Sequence, residues 1–435
     1  MPHLSFSSKS LLVGKIIVIL AIIPSFSTFL MKGFNLLIFF TLFLIAACSE
    51  KTEPPIIPDP ADTSGKVYYA LDKFCMGADL SYVNEIEDHG GVYRDSGKVV
   101  DPYRIFKNHG CNLVRIRLWN DPKWTKEIYG TDGTQMYCDL ADVEKSIRRA
   151  KSLGMGVNLD FHYSDTWADP SHQDVPSGWL AIQSLQILKD SVYQFTYRTL
   201  KYLDNQGLMP EMVQVGNEIN CGLLRTSAPA SFPALNACDG NWLALGEVLN
   251  TGIKAVRDVS AESDTKTQII LHIAEPRYVE WWFDQVIQQA NVTDFDIVGF
   301  SYYPLLHIET PLANIGTAIT RFKNRYQRKV MIVETAYPWT AQGNDNYTNL
   351  FGTQSPVENY PFTEDGQYRY YVALAEKVVK SGGDGIMVWE PAWICSAMKT
   401  PWGQGSAWEN TTFFGFEGNT KKGIDFMTYP YKFPE

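Results

Sequence analysis

Two short apolar segments of this 435-residue chain each end in a glutamate. Residues 212–218 close on Asn217 and Glu218, and residues 329–334 close on Glu334. Apolar, β-branched runs suit a parallel sheet, so each carboxylate should leave the core at the carboxyl end of its strand, where α/β sheets bind ligands. Two glutamates facing each other there could perform glycoside hydrolysis: one acid protonates the leaving oxygen and one carboxylate attacks the sugar carbon.

The elements that would position these glutamates alternate between strand and helix patterns. Eight strands joined by helical crossovers predict an α/β fold, a single (β/α)8 TIM barrel with loop insertions. The predicted strands cover residues 74–79, 113–119, 156–162, 212–218, 268–274, 297–303, 329–334 and 385–389. The predicted helices lie near residues 102–108, 140–153, 191–206, 242–259, 278–290, 312–326 and 365–380.

Alternation along the second and third predicted strands sorts their side chains onto two faces. Arg115 and Arg117 share one face of the second strand, and Asn158, Asp160 and His162 share one face of the third. Their apolar neighbours should meet the helices, so these polar side chains should point toward the barrel axis. Because buried charges are costly unless paired, the pattern indicates a functional mouth, with a purely structural Arg-Asp network as the alternative.

Other strand ends add aromatic and imidazole groups to the same end of the barrel. His272 lies near the end of the fifth predicted strand, Tyr302 and Tyr303 end the sixth, and Trp389 ends the eighth. A tyrosine can hydrogen-bond a carboxylate, and a tryptophan can form an apolar floor under a sugar ring. Each feature is ordinary alone, and their convergence predicts one site.

Composition narrows the class of partner. The formal net charge of -10 and the absence of a basic run exclude nucleic acid, whose binding needs a positive surface. Aromatic content is 13%, and several of the 12 tryptophans lie in predicted loops. Flat apolar rings stack on sugar faces, although core packing is the alternative for any single tryptophan.

The N-terminal region is interpreted as export machinery followed by a tether. Residues 31–47 have a basic start and a short apolar stretch, as in a signal peptide, and the small residues before Cys48 resemble the bacterial lipoprotein box. By that resemblance, Cys48 is lipidated and the protein is an exported lipoprotein of the outer membrane, displayed at the cell surface through its lipid anchor. Residues 1–30 are interpreted as a mis-assigned N-terminal extension, with a membrane helix as the alternative. A proline-rich tether over residues 48–66 precedes the predicted catalytic barrel, residues 67–435, which is expected to be monomeric.

Six cysteines remain besides Cys48, and none shows the spacing of a metal site. Cys221 and Cys238 flank one loop and could form a disulfide in an oxidising compartment. Free thiols at both positions are the equally weighted alternative.

Several motifs together resemble one enzyme family. Asn217-Glu218 and Glu334 are similar to the acid/base and nucleophile positions of retaining clan A glycosidases. More closely, the chain is identified as a member of glycoside hydrolase family 53, the endo-β-1,4-galactanases (arabinogalactan endo-β-1,4-galactanases). The similarity runs from about residue 74 to residue 416, and its motifs are Gly77-Ala78-Asp79-Leu80-Ser81, Val114-Arg115-Ile116-Arg117-Leu118-Trp119, His162-Tyr163-Ser164-Asp165-Thr166-Trp167-Ala168-Asp169-Pro170, Gly216-Asn217-Glu218-Ile219, Ser301-Tyr302-Tyr303-Pro304 and Trp389-Glu390-Pro391-Ala392-Trp393-Ile394.

The resemblance implies endo-acting, retaining hydrolysis of the β-1,4-galactan side chains of pectin. Glu218 would be the general acid and then base, and Glu334 the nucleophile. Asn217 would form a hydrogen bond with the sugar 2-hydroxyl, and Arg115 would hold Glu334 ionised. Trp389 would form the apolar floor of the sugar site. The other residues predicted to bind substrate are Asp79, His162, Asp165, Trp167, His272, Tyr302, Tyr303 and Trp393.

No cofactor is expected for catalysis, although bacterial members of the family often hold calcium in the loop after strand seven. Here that loop offers Asp345 and Asn349 as oxygen ligands for a structural calcium ion. Two other functions stay open. One is a different clan A endo-glycanase, such as a mannanase or cellulase, and the other is a non-catalytic, surface-tethered glycan-binding lipoprotein.

Overall fold

The computed structural model describes residues 65–434, where eight parallel strands close into a barrel. The predicted signal peptide, Cys48 and nearly all of the predicted tether lie outside the described residues. The barrel strands are β1 (Cys75–Asp79), β2 (Leu113–Leu118), β3 (Gly156–Phe161), β4 (Met212–Val215), β5 (Gln268–Ala274), β6 (Ile297–Ser301), β7 (Lys329–Glu334) and β8 (Gly385–Val388). Short antiparallel hairpins pair Arg94–Asp95 with Lys98–Val99 and Lys399–Thr400 with Gly403–Gln404.

Helices follow the strands and cover the outside of the barrel. They are α1 (Val83–Asp88), α2 (Pro102–Asn108), α3 (Lys123–Glu127), α4 (Leu140–Ser152), α5 (Leu185–Asn205), α6 (Trp242–Glu262), α7 (Pro276–Gln288), α8 (Leu312–Tyr326) and α9 (Glu364–Lys380). Within residues 65–434, none of the helices combines the length and apolar character needed to cross a membrane.

Each barrel strand pairs with the strands before and after it in the chain, and β1 pairs with both β2 and β8 to close the ring. Long loops follow β3, β4, β7 and β8 at the carboxyl ends of the strands. The predicted (β/α)8 TIM barrel with loop insertions is therefore confirmed.

The barrel interior is filled in two layers of different chemistry. Apolar side chains close the amino-terminal end of the strands, among them Leu113 on β2, Met331 on β7 and Met387 on β8. Arg115 and Asp160, further along β2 and β3, begin a polar layer toward the carboxyl ends. The apolar layer keeps water out from below, so the polar groups above it are open only toward the mouth.

Two helix starts show how local sequence sets element boundaries. At α2 the Asp101 carboxylate accepts the N–H of Arg104, and Pro102 stands at the first turn, where its missing N–H costs nothing. At α9 the Thr363 hydroxyl accepts the N–H of Gly366. The periodic pattern predicted the ends of these helices to within one residue.

The sequence pattern missed two short helices and placed the start of a third too late. Helices α1 and α3 were not predicted, because five or six residues are too few to show a 3.6-residue period. Helix α5 begins at Leu185, six residues before the predicted start, since its first turns are half exposed and carry no clear apolar face.

Asn112 ties the beginning of β2 to the segment before β1. Its side-chain oxygen accepts the N–H of Met76 at 2.9 Å, and its amide nitrogen donates to the carbonyl oxygens of Phe74 at 2.8 Å and Tyr69 at 3.0 Å. The side chain is buried. It lies at the amino-terminal end of the strands, which in TIM barrels contributes to stability rather than to catalysis.

Asn112→Ala should therefore lower the free energy of unfolding by about 2 to 3 kcal/mol, because it leaves buried backbone groups unpaired. The value of kcat/KM at 25 °C should stay within twofold of wild type. Urea unfolding and steady-state kinetics measure the two quantities. Asn108→Ala, at an exposed position on the neighbouring helix, is the control and should change stability by less than about 0.5 kcal/mol. An equal loss in both variants would contradict the assigned role.

Candidate active site

Arg115 lies at the centre of the polar layer and is completely buried. Its Nη1 lies 2.9 Å from Oδ2 of Asp79, and its Nη2 lies 2.7 Å from Oδ2 of Asp160 and 2.9 Å from Oε1 of Glu334. Nη2 also donates to Oδ1 of Asn217 at 2.7 Å. One guanidinium thus joins the ends of four strands, and its single positive charge offsets part of the negative charge of three buried carboxylates.

The two candidate catalytic glutamates face each other across the mouth. The hydroxyl oxygen of Ser301, at the end of β6, lies 2.5 Å from Oε1 of Glu218 and 3.5 Å from Oε2 of Glu334. The two carboxylate oxygens are therefore closer than the sum of these distances. The resulting limit of 6.0 Å on this one pair of oxygens agrees with retaining glycosidases, whose carboxyl groups lie about 5 Å apart.

A shift of register between β6 and β7 produces this approach. Phe300 pairs with Ile332, but the next residue of β6, Ser301, pairs with Glu334. One residue of β7 is thus bulged out, which turns Glu334 toward the cleft beside the serine. The N–H of Tyr302 donates to the carbonyl oxygen of Glu334 at 2.8 Å and holds that register.

Opposite environments act on the two glutamates. Burial raises the pKa of Glu218 well above its usual value, and the nearby negative charge of Glu334 raises it further. Burial also raises the pKa of Glu334, to about 7, but the charge of Arg115 and the hydroxyl of Tyr303 oppose that rise. The proton shared by the pair therefore belongs on Glu218, which can act as the acid, and Glu334 is left as the carboxylate.

The hydrogen bonds around His272 match a protonated Glu218. Burial holds the pKa of His272 well below its usual value, so its ring is neutral, with one donor and one acceptor. Nδ1 lies 2.8 Å from Oδ1 of Asn217, closer than Nε2 of Gln214 at 3.2 Å, which places the ring proton on Nδ1. The Ser301 hydroxyl, 2.9 Å from Nε2, donates to Oε1 of Glu218 when that group is a carboxylate; when Glu218 is protonated, the hydroxyl can donate to Nε2 and accept the Glu218 proton instead.

An open cleft of about 710 Å³ leads to the glutamate pair. Five of the predicted substrate-binding residues line it together with both glutamates: Asn217, Trp167, Tyr303, Trp389 and Trp393. Most of these side chains are aromatic and come from three different strand ends, which is the construction that a sugar-binding cleft needs.

The other predicted substrate-binding residues do not line this cleft. Asp79, Arg115 and His272 belong to the buried polar layer beneath it. The Nδ1 of His162 accepts the N–H of Ala168 at 2.9 Å and supports the loop after β3. These four side chains lie beneath or behind the residues that line the cleft.

Asp165 and Tyr302 also require correction. The Asp165 carboxylate accepts N–H groups of Asp121 at 2.9 Å and Ser177 at 2.7 Å, so it shapes two loops. Tyr302 is fully buried in the main apolar cluster, and its hydroxyl has no hydrogen-bond partner among the described residues. The alternation of a strand turns only one of two successive tyrosines inward, and that one is Tyr303.

Sequence reasoning missed several residues of the site. Ser301 shares the inward face of β6 with Tyr303, so strand alternation could have found it. Gln214 has the same kind of position on β4, where its Oε1 accepts from Nε of Arg115 at 2.9 Å. The further cleft-lining residues on loops, for which no periodicity exists, include Asp169, His172, Asp174, Tyr347, Trp402 and Trp408.

A disulfide joins Cys221 to Cys238 in the loop that follows β4. The same loop begins with Asn217 and Glu218, so the bond restrains the chain that carries the candidate acid. The cysteines that are free within the described residues are Cys75, Cys111, Cys138 and Cys395.

The predicted calcium ligands lie beside a second carboxylate. Ligand atoms of Asp345, Cys395 and Glu409 all lie within 4.8 Å of one another. Nδ2 of Asn349 lies 3.3 Å from Oε1 of Glu409, and its Oδ1 is buried without a hydrogen-bond partner among residues 65–434. Two carboxylates and a free amide oxygen fit the hard ligand set of calcium, and Glu409 was missed because it is 64 residues from Asp345. Burial raises the pKa of the Cys395 thiol, so it adds no charge.

A (β/α)8 barrel with two buried glutamates at the ends of β4 and β7, inside an aromatic cleft, defines the protein as a glycoside hydrolase. The family model Glycosyl hydrolase family 53 matches residues 75–427. The chain therefore belongs to glycosyl hydrolase family 53.

Individual relatives agree with this assignment. The chain is 43% identical to an arabinogalactan endo-beta-1,4-galactanase of Cellvibrio japonicus (strain Ueda107) over 341 residues, 78% of this chain and 86% of the relative. It is 33% identical to an endo-beta-1,4-galactanase of Bacillus subtilis (strain 168), over 75% of this chain and 72% of that protein. Among solved structures, the Ignisphaera aggregans GH53 catalytic domain superposes with a TM-score of 0.73 at 32% identity, covering 87% of this chain and 100% of that domain.

Tyr303→Phe should move the acid limb of the pH profile of kcat/KM to higher pH. The Tyr303 hydroxyl donates to Oε2 of Glu334 at 2.8 Å and favours the carboxylate. Without that donor the pKa of Glu334 rises, and activity, which needs the ionised form, is lost earlier as pH falls. A hydrogen bond to a charged group is worth about 1.5 to 3 kcal/mol, so the shift should be about one to two pH units.

Tyr302→Phe is the matched control, because its hydroxyl contacts neither glutamate. Its profile should coincide with that of wild type, as measured by initial rates across pH 4 to about 9. A shift of the same size in both variants, or of the opposite sign in Tyr303→Phe, would show that Tyr303 does not hold Glu334 ionised.

Proposed function

We propose that this hydrolase is an endo-β-1,4-galactanase that cleaves the galactan side chains of pectin with retention of configuration. The observation that carries the mechanism is the close approach of Glu218 and Glu334 to one serine hydroxyl. Support for the substrate comes from the galactanase names of the relatives in the same family. The retention of both glutamates supports an enzyme over a non-catalytic binder, which needs aromatic rings but no acid and nucleophile.

In the first step, the Glu334 carboxylate attacks the anomeric carbon while Glu218 gives its proton to the glycosidic oxygen. The bond between that carbon and oxygen breaks, and a glycosyl ester of Glu334 forms. Arg115 compensates the charge of Glu334 before the attack, and the buried surroundings of Glu218 keep that residue protonated until it gives its proton to the leaving oxygen.

In the second step, Glu218, now ionised, removes a proton from water as the water oxygen attacks the anomeric carbon. The ester bond to Glu334 breaks, which restores its carboxylate, and Glu218 regains its proton. Two inversions at one carbon give net retention.

Hydrogen bonds to neighbouring residues fix the orientation of the Asn217 side-chain amide, which can then bind a sugar hydroxyl. Its Oδ1 accepts from Arg115 and His272, and its Nδ2 donates to the carbonyl oxygen of Ala168 at 2.7 Å. An amide nitrogen carries two hydrogens, so one N–H is left to face the cleft. That N–H is the group we assign to the sugar 2-hydroxyl.

Endo action is supported by aromatic rings that continue beyond the glutamate pair. Trp167 and Trp402 lie with ring centroids 4.8 Å apart at the cleft wall, and 63% of Trp402 is exposed. An exposed indole on a hairpin offers a stacking surface to sugars far from the cleaved bond. Such a surface serves a polymer bound along its length.

We further infer a structural calcium ion held by Asp345, Glu409 and Asn349. It would connect the loops after β7 and β8 and take no part in the reaction. For the region that precedes the barrel, we infer from sequence alone export as a monomeric lipoprotein of the outer membrane through Cys48, with display at the cell surface.

The test of the substrate is a panel of galactan, mannan, cellulose and arabinan with purified residues 49–435. Release of short galacto-oligosaccharides from galactan alone, with β-configured reducing ends in early NMR spectra, is the expected result. Cleavage of mannan or cellulose in its place would identify a different endo-glycanase. Binding of galactan without any release of reducing sugar would identify a binder.

The roles of the glutamates can be separated with an aryl galactobioside that carries a very acidic phenol. Glu218→Ala should still form the glycosyl-enzyme quickly, because this leaving group needs no proton, and azide should then give a β-glycosyl azide. Glu334→Ala cannot form the intermediate, so its activity should be negligible, and any azide product should be the α-azide. The measurement is the stereochemistry of the azide product. A β-azide from Glu334→Ala would reverse the assignment.

A further inference from the structure

Arg117 is a second buried arginine on the inward face of β2, and the reaction described above does not use it. It lies two residues nearer the mouth than Arg115 and is completely buried. Its Nη2 donates to Oε1 of Glu390 at 2.5 Å. Glu390, also buried, directly follows the cleft-lining Trp389 at the end of β8. A pair of this kind, removed from water, is costly unless its surroundings compensate it.

Aromatic rings surround the Arg117 guanidinium. Its central carbon lies 4.0 Å from the ring centroid of Tyr82, 5.3 Å from that of Trp389, 5.4 Å from that of Trp119 and 6.0 Å from that of Trp167. These distances are within the range at which a cation is attracted to an aromatic face. The rings thus supply the compensation that water would otherwise give.

The free N–H groups of Arg117 agree with this arrangement. Nε and Nη1 are buried and have no hydrogen-bond partner among the described residues, and the buried Cys138 thiol is a further neighbour of the guanidinium. The guanidinium is therefore fixed by one carboxylate and by stacked rings, a combination that suits arginine and not lysine.

These contacts reach the surface on which a sugar would lie. Trp167 and Trp389 line the cleft, and their ring centroids lie 6.0 Å and 5.3 Å from the central carbon of the guanidinium. Trp393, which also lines the cleft, packs against Tyr82 with ring centroids 4.7 Å apart. Three tryptophans that line the cleft are thus packed around Arg117, two of them next to the guanidinium and Trp393 through Tyr82.

Glu390 fixes the backbone on the other side of Trp389. Its φ of 43° is in the left-handed region, which non-glycine residues rarely adopt. The N–H of Trp389 donates to the carbonyl oxygen of Thr335 at 2.9 Å. With the Arg117 contact on the Glu390 side chain, the turn that carries Trp389 is held at two successive residues.

We propose that Arg117 and Glu390 form a positioning pair, which holds Trp389, Trp167 and, through Tyr82, Trp393 in the orientation that binds a galactan chain. The choice of galactan rests on the proposed function. The pair touches no substrate itself. It acts through the tryptophans, so its loss should weaken sugar binding more than it slows bond breaking.

Arg117→Met tests this positioning role against a merely structural one. Arg149→Met is the matched control: Arg149 also combines ion pairs, to Glu87 at 2.6 Å and Asp101 at 2.7 Å, with an aromatic face, at 4.4 Å from Tyr103. None of these four residues lines the cleft. Both substitutions should lower the unfolding temperature, and only Arg117→Met should change the kinetics.

For Arg117→Met we expect KM for galactotetraose to rise at least about tenfold, with kcat reduced less than KM is raised. Rates are divided by the active fraction, counted from the burst of phenol released from an activated aryl galactobioside. Arg117→Lys, which keeps the charge but not the planar stacking, should lie between Arg117→Met and wild type. In a Glu334→Gln background, calorimetry should show the same weakening of galactotetraose binding.

Glu390→Gln decides between the two roles if Arg117→Met does not fold, because it keeps the size of the side chain but removes the negative charge that holds the Arg117 guanidinium. A rise of KM in this variant supports the positioning role. Unchanged KM in Glu390→Gln, or equal kinetics of Arg117→Met and Arg149→Met, would overturn it. Failure of the proposed substrate would appear separately, as wild-type enzyme inactive on galactan, and the KM comparison would then use the polysaccharide that the panel identifies.

Discussion

The buried Arg115 guanidinium is the constraint on which the site depends. Three carboxylates of the polar layer, from Asp79, Asp160 and Glu334, lie within 2.9 Å of its nitrogens. Such a group of acids inside a barrel is stable only around a fixed cation, because each unpaired buried charge costs several kcal/mol. Replacing Arg115 by a neutral residue would therefore disturb the fold as well as the chemistry. Stability and catalysis use the same ion pairs here.

The difference between the two glutamates follows from what surrounds this cation. Glu334 contacts Arg115 and accepts the Tyr303 hydroxyl, so two positive or proton-donating groups favour its ionised form. Burial and the negative field of Glu334 favour the protonated form of Glu218, and they outweigh the Ser301 hydroxyl, whose hydrogen bond favours the carboxylate. Identical side chains thus acquire opposite roles from position alone.

Sequence alternation predicted the inside of the barrel well, because period two holds wherever a strand continues. Arg115, Asp160 and the barrel itself follow from it. The prediction weakened where strands end: β4 stops at Val215, Gly216 has a φ of 90°, and Glu218 has a φ of 47°. Side-chain direction after such a turn depends on the turn and not on alternation. The motif resemblance, rather than periodicity, is the basis for assigning the acid role to Glu218.

The alternation of side chains along a strand predicts which residues point into the barrel, but not how far along the barrel axis they lie. The position along that axis decides which polar residues line the cleft. Arg115 and Asn217 both face the barrel axis, yet Asn217 and Glu334 cover Arg115 and leave it no exposed surface. The lower residues set charge and protonation, while the upper ones, Asn217 and Glu334, line the cleft. The loops after β3 and β8 then add Trp167 and Trp389 above both levels. A (β/α)8 barrel can therefore keep one buried charge arrangement while its loops change the polysaccharide that reaches it.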